Sequence, residues 1–260
     1  MLTREQLSIV AKKYNIGLAV QERDYIQSVF LYLLSRETQD LCFKGGTCLR
    51  IVYGLNRFSE DLDFNFVNDE DKVKSLFLSS VDNLKTFGIE AKARDAQFFR
   101  GCFSFDLSFQ GPLFDGASTT KNKIKVDVSM REEEAETERP LVDLTHAYPD
   151  IPVFSIFCLA LSHILAEKIR ALLIRGKPRD LYDVWFLLRK DVHPDIKLVN
   201  KKLALYDVTF NKEKLLNIIN GMEAAWKRDL SALLPAMTEF ADVRKMVIEQ
   251  VQKLVLSKIK

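Results

Sequence analysis

Phe43-Lys44-Gly45-Gly46-Thr47, followed by Arg57-Phe58-Ser59-Glu60-Asp61-Leu62-Asp63-Phe64, is the stretch whose reading decides the fold. Leu41 to Phe43 is an apolar run of strand length and Thr47 to Tyr53 has helical spacing, which puts Gly45 and Gly46 at a strand-to-helix turn. Two glycines there let backbone N–H groups come close to a phosphate. A helix beginning near Thr47 would add its positive end, with Thr47 as its cap or as a hydroxyl ligand. From Asp61 to Phe66 polar and apolar residues alternate, so on a strand Asp61, Asp63 and Asn65 face one way and Leu62, Phe64 and Phe66 the other. Carboxylates at i and i+2 lie about 6–7 Å apart along the backbone, near enough to converge on one Mg²⁺ or to bracket two. A phosphate cradle followed by such an acid pair suits nucleotidyl transfer.

Taken alone, a D-x-D pair is more often two solvated aspartates on a surface strand; the glycine pair upstream argues against that here. An EF-hand also begins D-x-D-x-N, but it needs Gly at its sixth position and Glu at its twelfth, where this chain has Phe66 and Lys72. No G-x-x-x-x-G-K-[ST] follows Gly45, which excludes a P-loop.

Outward from this stretch, Leu2–Lys13, Glu22–Arg36 and Asp71–Thr86 have helical periodicity, and Gly88 closes the third. Ile89–Phe109 and Lys123–Met130 alternate as strands, the latter with Ile124, Val126 and Val128 on one side and Lys125, Asp127 and Ser129 on the other. The acidic run at 131–139 reads as a solvated loop or helix end. Beyond Pro149 and Pro152 the pattern turns helical, which predicts two domains, 1–150 and 151–260. Phe154–Arg175 reads as one long helix closed by Gly176, and Pro178 opens the next, Pro178–Arg189. Lys168 has Ile164, Leu165, Ala171 and Leu172 around it on the helix, so it must snorkel or pair with an acid. Asp180 and Asp183 stand on the following helix. A structural Lys168–Asp183 ion pair and a functional one are both open, and Asp180 also suits a helix start. Residues 190–260 are helical and carry no motif.

With 38 basic against 36 acidic residues the chain is close to neutral, so nucleic-acid binding must come from local clusters: Arg94 and Arg100; Lys121, Lys123 and Lys125; Lys201 and Lys202. The four cysteines include no C-x-x-C and the three histidines are far apart, which indicates neither zinc nor a disulfide framework. Buried reduced thiols, no signal peptide and no apolar run of about 20 residues predict a cytoplasmic protein without a membrane span.

K-G-G-T and then R-x-S-x-D-L-D-F at residues 44–64, with A-E-K-I-R-A-L-x-x-R-x-x-P-R-D-L-Y-D-V-W at 166–185, resemble the two signatures of AbiE-type (AbiEii/AbiGii) toxins of bacterial toxin-antitoxin systems. Gly-Gly-Thr replaces the Gly-Ser usual in the wider superfamily, a form this branch favours. The resemblance implies an α/β (α+β) fold: the mixed sheet and flanking helices of DNA polymerase β-like nucleotidyltransferases, with a helical C-terminal lobe. It implies a toxin with a cognate antitoxin, using a nucleoside triphosphate and Mg²⁺ or Mn²⁺, with the tRNA 3′ end as acceptor. By the same resemblance Asp127 joins Asp61 and Asp63 at the metal, and Lys168 contacts the nucleotide phosphates. Asp183, or failing it Asp180, is the paired acid and Arg179 supports the site. Lys44, Gly45, Gly46, Thr47, Arg57 and Ser59 complete the nucleotide-binding set.

Overall fold

The computed structural model describes residues 1–131 and 135–256, so Glu132, Glu133 and Glu134 of the acidic run lie outside the described residues. The chain divides into two compact units, Met1–Leu159 and Ala160–Lys260.

The first unit contains α1 (Arg4–Lys13), α2 (Leu18–Glu37), β1 (Cys42–Lys44), α3 (Gly45–Ile51), β2 (Asp61–Asn65), α4 (Glu70–Asn83), β3 (Glu90–Phe99), β4 (Cys102–Gln110), β5 (Asn122–Ser129), β6 (Thr137–Glu138), β7 (Leu141–Val142), β8 (Phe154–Ser155) and β9 (Phe157–Leu159). Seven strands form a mixed sheet in the order β3-β4-β5-β2-β1-β9-β6, while β7 and β8 pair separately. Strand β2 runs antiparallel to β1 and parallel to β5, and β9 runs parallel to β1.

Alternation in the sequence makes this sheet two-faced. Phe43, Leu62, Phe64, Phe103, Phe105, Leu107, Phe109, Ile124, Val126 and Val128 point to one side, and none is more than 1 % exposed. Helix α4 packs there through Phe77, whose ring lies 5.5 Å from Phe64, 6.0 Å from Phe105, and 6.4 Å from both Phe103 and Phe30 of α2. The β3–β4 hairpin turns through Arg100 (φ 49°) and Gly101 (φ 72°), the two positive values that a tight hairpin requires.

Phe154–Leu159, read from the sequence as the start of a long helix, instead forms β8 and β9. An apolar run of this length suits helix or strand equally. Pairing decides, because β1 offers an edge on which Phe157 and Cys158 align with Cys42 and Phe43. The helix α5 (Leu161–Arg175) therefore begins later.

In the second unit α5 is followed by α6 (Pro178–Arg189), α7 (Ile196–Ala204), α8 (Lys212–Asn220), α9 (Glu223–Leu230) and α10 (Phe240–Leu256). Gly176 (φ 57°) ends α5 in a left-handed cap, its N–H donating to the carbonyls of Ala171 and Leu172, and Pro178 opens α6. Among the described residues no helix is long and apolar enough to cross a membrane. All four cysteines are free, with Cys48 and Cys158 fully buried.

Phe77→Ala removes the ring that joins α2, α4 and the sheet. It should destabilise the protein by about 3–5 kcal/mol, read as a lower urea midpoint with an unchanged denaturant slope.

Candidate active site

The two halves of the first motif meet at the glycine turn. Strands β1 and β2 pair with Lys44 opposite Asp63. The chain then turns through Gly45 at φ +80°, where a Cβ would stand 2.2 Å from Asp63 Oδ2. A Cβ on Gly46 would lie 2.6 Å from Arg57 Nη2 and 2.9 Å from Ser59 Oγ. Only glycine lets the backbone come this near. Lys44, Gly45, Gly46, Arg57, Ser59 and Asp63 are thus brought together, as the motif spacing predicts.

Two roles come out differently. The helix expected from Thr47 begins at Gly45, with Lys44 in the capping position and no side-chain cap. Thr47 is fully buried and its hydroxyl donates to the Asp61 carbonyl, so it neither caps the helix nor faces a ligand; it ties α3 to β2. Arg57 is 1 % exposed and donates from Nη1 to the Phe58 carbonyl at 2.8 Å, which makes it a support beneath the turn.

Asp61 and Asp63 stand half-buried on β2, on the face opposite Leu62 and Phe64. In the parallel pairing of β2 and β5, Asp127 is directly opposite Asp63, and Lys125 opposite Asp61. Burial pushes the Asp127 carboxyl above its ordinary pKa; Lys125 pulls it down, while the negative charges of Asp61 and Asp106 push it further up. Three hard oxygen donors with uncompensated repulsion between them fit a divalent cation. Among the described residues no three His, Cys, Asp or Glu side chains form a ready-made cage. That suits Mg²⁺, which takes one or two carboxylates and fills its shell with water and substrate phosphate. Asn65, also on this strand, is 8 % exposed and its Oδ1 has no hydrogen-bond partner.

The second motif builds a buried charge cluster within its own unit. Lys168 Nζ lies 2.7 Å from Asp183 Oδ2 and 3.7 Å from Asp180 Oδ1, with both aspartate side chains fully buried. The sequence left Arg175 without a role, yet it grips Asp180 with two parallel bonds, Nε to Oδ2 at 2.7 Å and Nη2 to Oδ1 at 2.8 Å. Its signal was its place in the last turn before Gly176, where a tight cap folds it back over the start of α6. Burial alone would raise the Asp180 carboxyl, but the bonds from Arg175 and the charges of Lys168, Arg175 and Arg179 outweigh it and hold it below the usual range. Arg179 is half-buried in the first turn of α6. Lys202, expected among the phosphate-contacting cations, is 3 % exposed and lies 3.4 Å from Glu167. It is a core ion pair, since α7 turns it inward, and only Lys201 of that pair is exposed.

Asp180→Asn strands two cations. It should cost about 3 kcal/mol at pH 7, the low end for a buried pair because Arg175 is itself 45 % exposed. Because folding lowers the Asp180 pKa, its stabilisation is complete above the unfolded value of about 3.9 and is lost as pH falls through the folded one. Urea titrations should show the gap between wild type and variant constant from pH 5 to 8 and closing below about pH 4.

Comparison with known proteins agrees with this geometry. The chain is 28 % identical over 214 residues, 82 % of its length and 80 % of the relative's, to the uncharacterized protein aq_aa25 of Aquifex aeolicus. Its fold is similar to MenT4, the nucleotidyltransferase toxin Rv2826c of Mycobacterium tuberculosis, at a TM-score of 0.71 and 19 % identity, covering 98 % of this chain and 90 % of that one. JHP933 from Helicobacter pylori is similar at a TM-score of 0.58 and 18 % identity, covering 93 % and 97 %. The profile described as "Nucleotidyl transferase AbiEii toxin, Type IV TA system" matches residues 30–250. The chain therefore belongs to the AbiEii family of nucleotidyltransferase toxins of type IV toxin-antitoxin systems.

Proposed function

We propose that this toxin is a Mg²⁺- or Mn²⁺-dependent enzyme that transfers a nucleoside monophosphate from a nucleoside triphosphate to the 3′ hydroxyl of an RNA, that of tRNA, in the cytoplasm. Membership of a type IV toxin-antitoxin family implies an antitoxin partner. The observation that carries the chemical part of this reading is the close packing of Gly45 and Gly46 against Asp63, Arg57 and Ser59, which sets a phosphate cradle beside the acid pair.

In this reading the backbone N–H groups of Gly45 and Gly46, with Lys44, hold the triphosphate, and Arg57 and Thr47 keep the turn in place. Asp61 and Asp63, with Asp127, would hold the divalent cation. When bound, that cation neutralises charge on the triphosphate and on the transferred phosphoryl group. Asp127, whose carboxyl is pushed up by burial, suits uptake of the proton from the acceptor hydroxyl. As that oxygen bonds to the α-phosphorus, the bond to the β-phosphate oxygen breaks and pyrophosphate leaves. In the second unit Lys168 serves as a phosphate cation oriented by Asp183, and Asp180, Arg175 and Arg179 hold that pair in place. The 3′-end acceptor draws its support from the family resemblance and from exposed cations on the first unit.

Asp61→Asn and Asp63→Asn should each lower transfer by about a thousandfold or more while leaving the melting temperature within a few degrees, because charge changes and volume barely does. Transfer is measured by incubating the protein with Mg²⁺ and each labelled nucleoside triphosphate in turn, against tRNA and against cell protein extract. Activity retained in both variants would remove the metal assignment. Label in protein or a small metabolite, with none on RNA, would remove the RNA acceptor and leave nucleotidyl transfer standing.

A further inference from the structure

The face of the sheet that carries the carboxylates continues past β5 to the outer strand. Lateral pairing aligns Asp61 of β2 with Lys125 of β5, Lys125 with Asp106 of β4, and Asp106 with Arg94 of β3. One row of side chains on one face thus joins the acid pair to the sheet's edge. Three strand spacings separate its ends, about 14 Å. Strand β3 stands last in the sheet order and its side chains are largely exposed, Lys92 and Arg94 among them. Just beyond Arg94 the pairing with β4 slips by a bulge, with Asp95 at φ 54°, a device that re-aims neighbouring side chains.

At this end the surface dips into a pocket with about 410 Å³ of empty space, whose walls include Lys92, Arg94, Lys121, Ser108, Gln110 and a single acid, Glu90. Among the described residues neither Lys92 nor Arg94 has an ion-pair partner, in contrast to Lys123, which lies 2.7 Å from Asp106. Three cations facing one carboxylate in a concave site, with a hydroxyl and an amide to donate hydrogen bonds, match a phosphate group.

We propose that this pocket binds a backbone phosphate of the acceptor RNA, so that the acceptor's 3′ segment lies along the Asp61–Lys125–Asp106–Arg94 row. The proposal rests on the reading of an RNA 3′ end as acceptor. At about 3.4 Å per nucleotide of stacked strand, 14 Å places the bound phosphate roughly four nucleotides from the reacting hydroxyl. A nucleic acid is favoured over an acidic peptide because the row begins at the carboxylates themselves. The pocket then measures acceptor length, and an RNA too short to reach it loses that contact.

The test uses single-stranded RNA oligonucleotides with free 3′ hydroxyls, roughly three, six and twelve nucleotides long, and the doubly substituted Lys92→Thr/Arg94→Thr protein, which keeps strand-forming residues at exposed positions. Wild type should show a KM that falls by about tenfold or more between the shortest and the longer two. The variant should lose this length dependence, and its affinity for the longest RNA should depend on salt with a slope smaller by about 2, one for each lost phosphate-facing cation. Its melting temperature should match wild type. A variant that keeps both the length dependence and the slope overturns the pocket and leaves the RNA acceptor intact. Wild-type transfer to protein and to none of the oligonucleotides overturns the acceptor reading, and the pocket proposal with it.

Discussion

A methyl group added at Gly45 would stand 2.2 Å from Asp63 Oδ2, and one at Gly46 would stand 2.6 Å from an Arg57 nitrogen. The backbone between β1 and α3 is therefore pressed against the side chains of the following motif, and the local arrangement depends on that approach. Gly45 accepts the positive φ, and Lys44 falls opposite Asp63. The Thr47 hydroxyl reaches the Asp61 carbonyl and holds the short helix onto the strand. The loop between them is held from a second side: the Arg50 guanidinium lies 3.8 Å from the centre of the Phe58 ring while its Nε pairs with the buried Asp24 at 3.3 Å. Residues 44 to 63 thus form a local unit in which packing, hydrogen bonds and a cation–π contact all fix the same turn.

The two-faced sheet supplies the rest. Its apolar side repays the conformational entropy of seven strands by burying a continuous aromatic layer under α2 and α4. Its polar side can then hold acids that contribute nothing to folding. Asp127 illustrates the trade, since a carboxyl raised by burial and by neighbouring negative charge is a destabilising choice for a strand unless a cation or a proton is to be placed there. The second unit makes a comparable choice. Lys168, Asp183, Asp180 and Arg175 are removed from water at a cost that their mutual attraction offsets only when every partner is in place. An apolar cluster of equal size would be as stable, which points to a role for the charges beyond holding helices together.

The strand alternation of Asp61–Phe66 and Lys123–Met130, the glycine turn and the helix break at Gly176 could all be read from the residues, because each depends on a backbone preference or a side-chain period that acts locally. The two signatures could be read for the same reason: each is a contiguous run whose spacing encodes its geometry. Tertiary structure alone decided which elements lie side by side. That Asp127 stands opposite Asp63 follows from the parallel pairing of β2 and β5, two strands separated by more than fifty residues. That Phe157–Leu159 is strand and not helix follows from the free edge of β1, and that Lys202 is buried on Glu167 follows from how α7 packs on α5. The row from Asp61 to Arg94 exists only as a register across four strands. Local periods state which way a side chain faces, whereas neighbours are set by the pairing that buries the most apolar surface and leaves the fewest backbone groups unsatisfied, and that balance is struck over the whole chain.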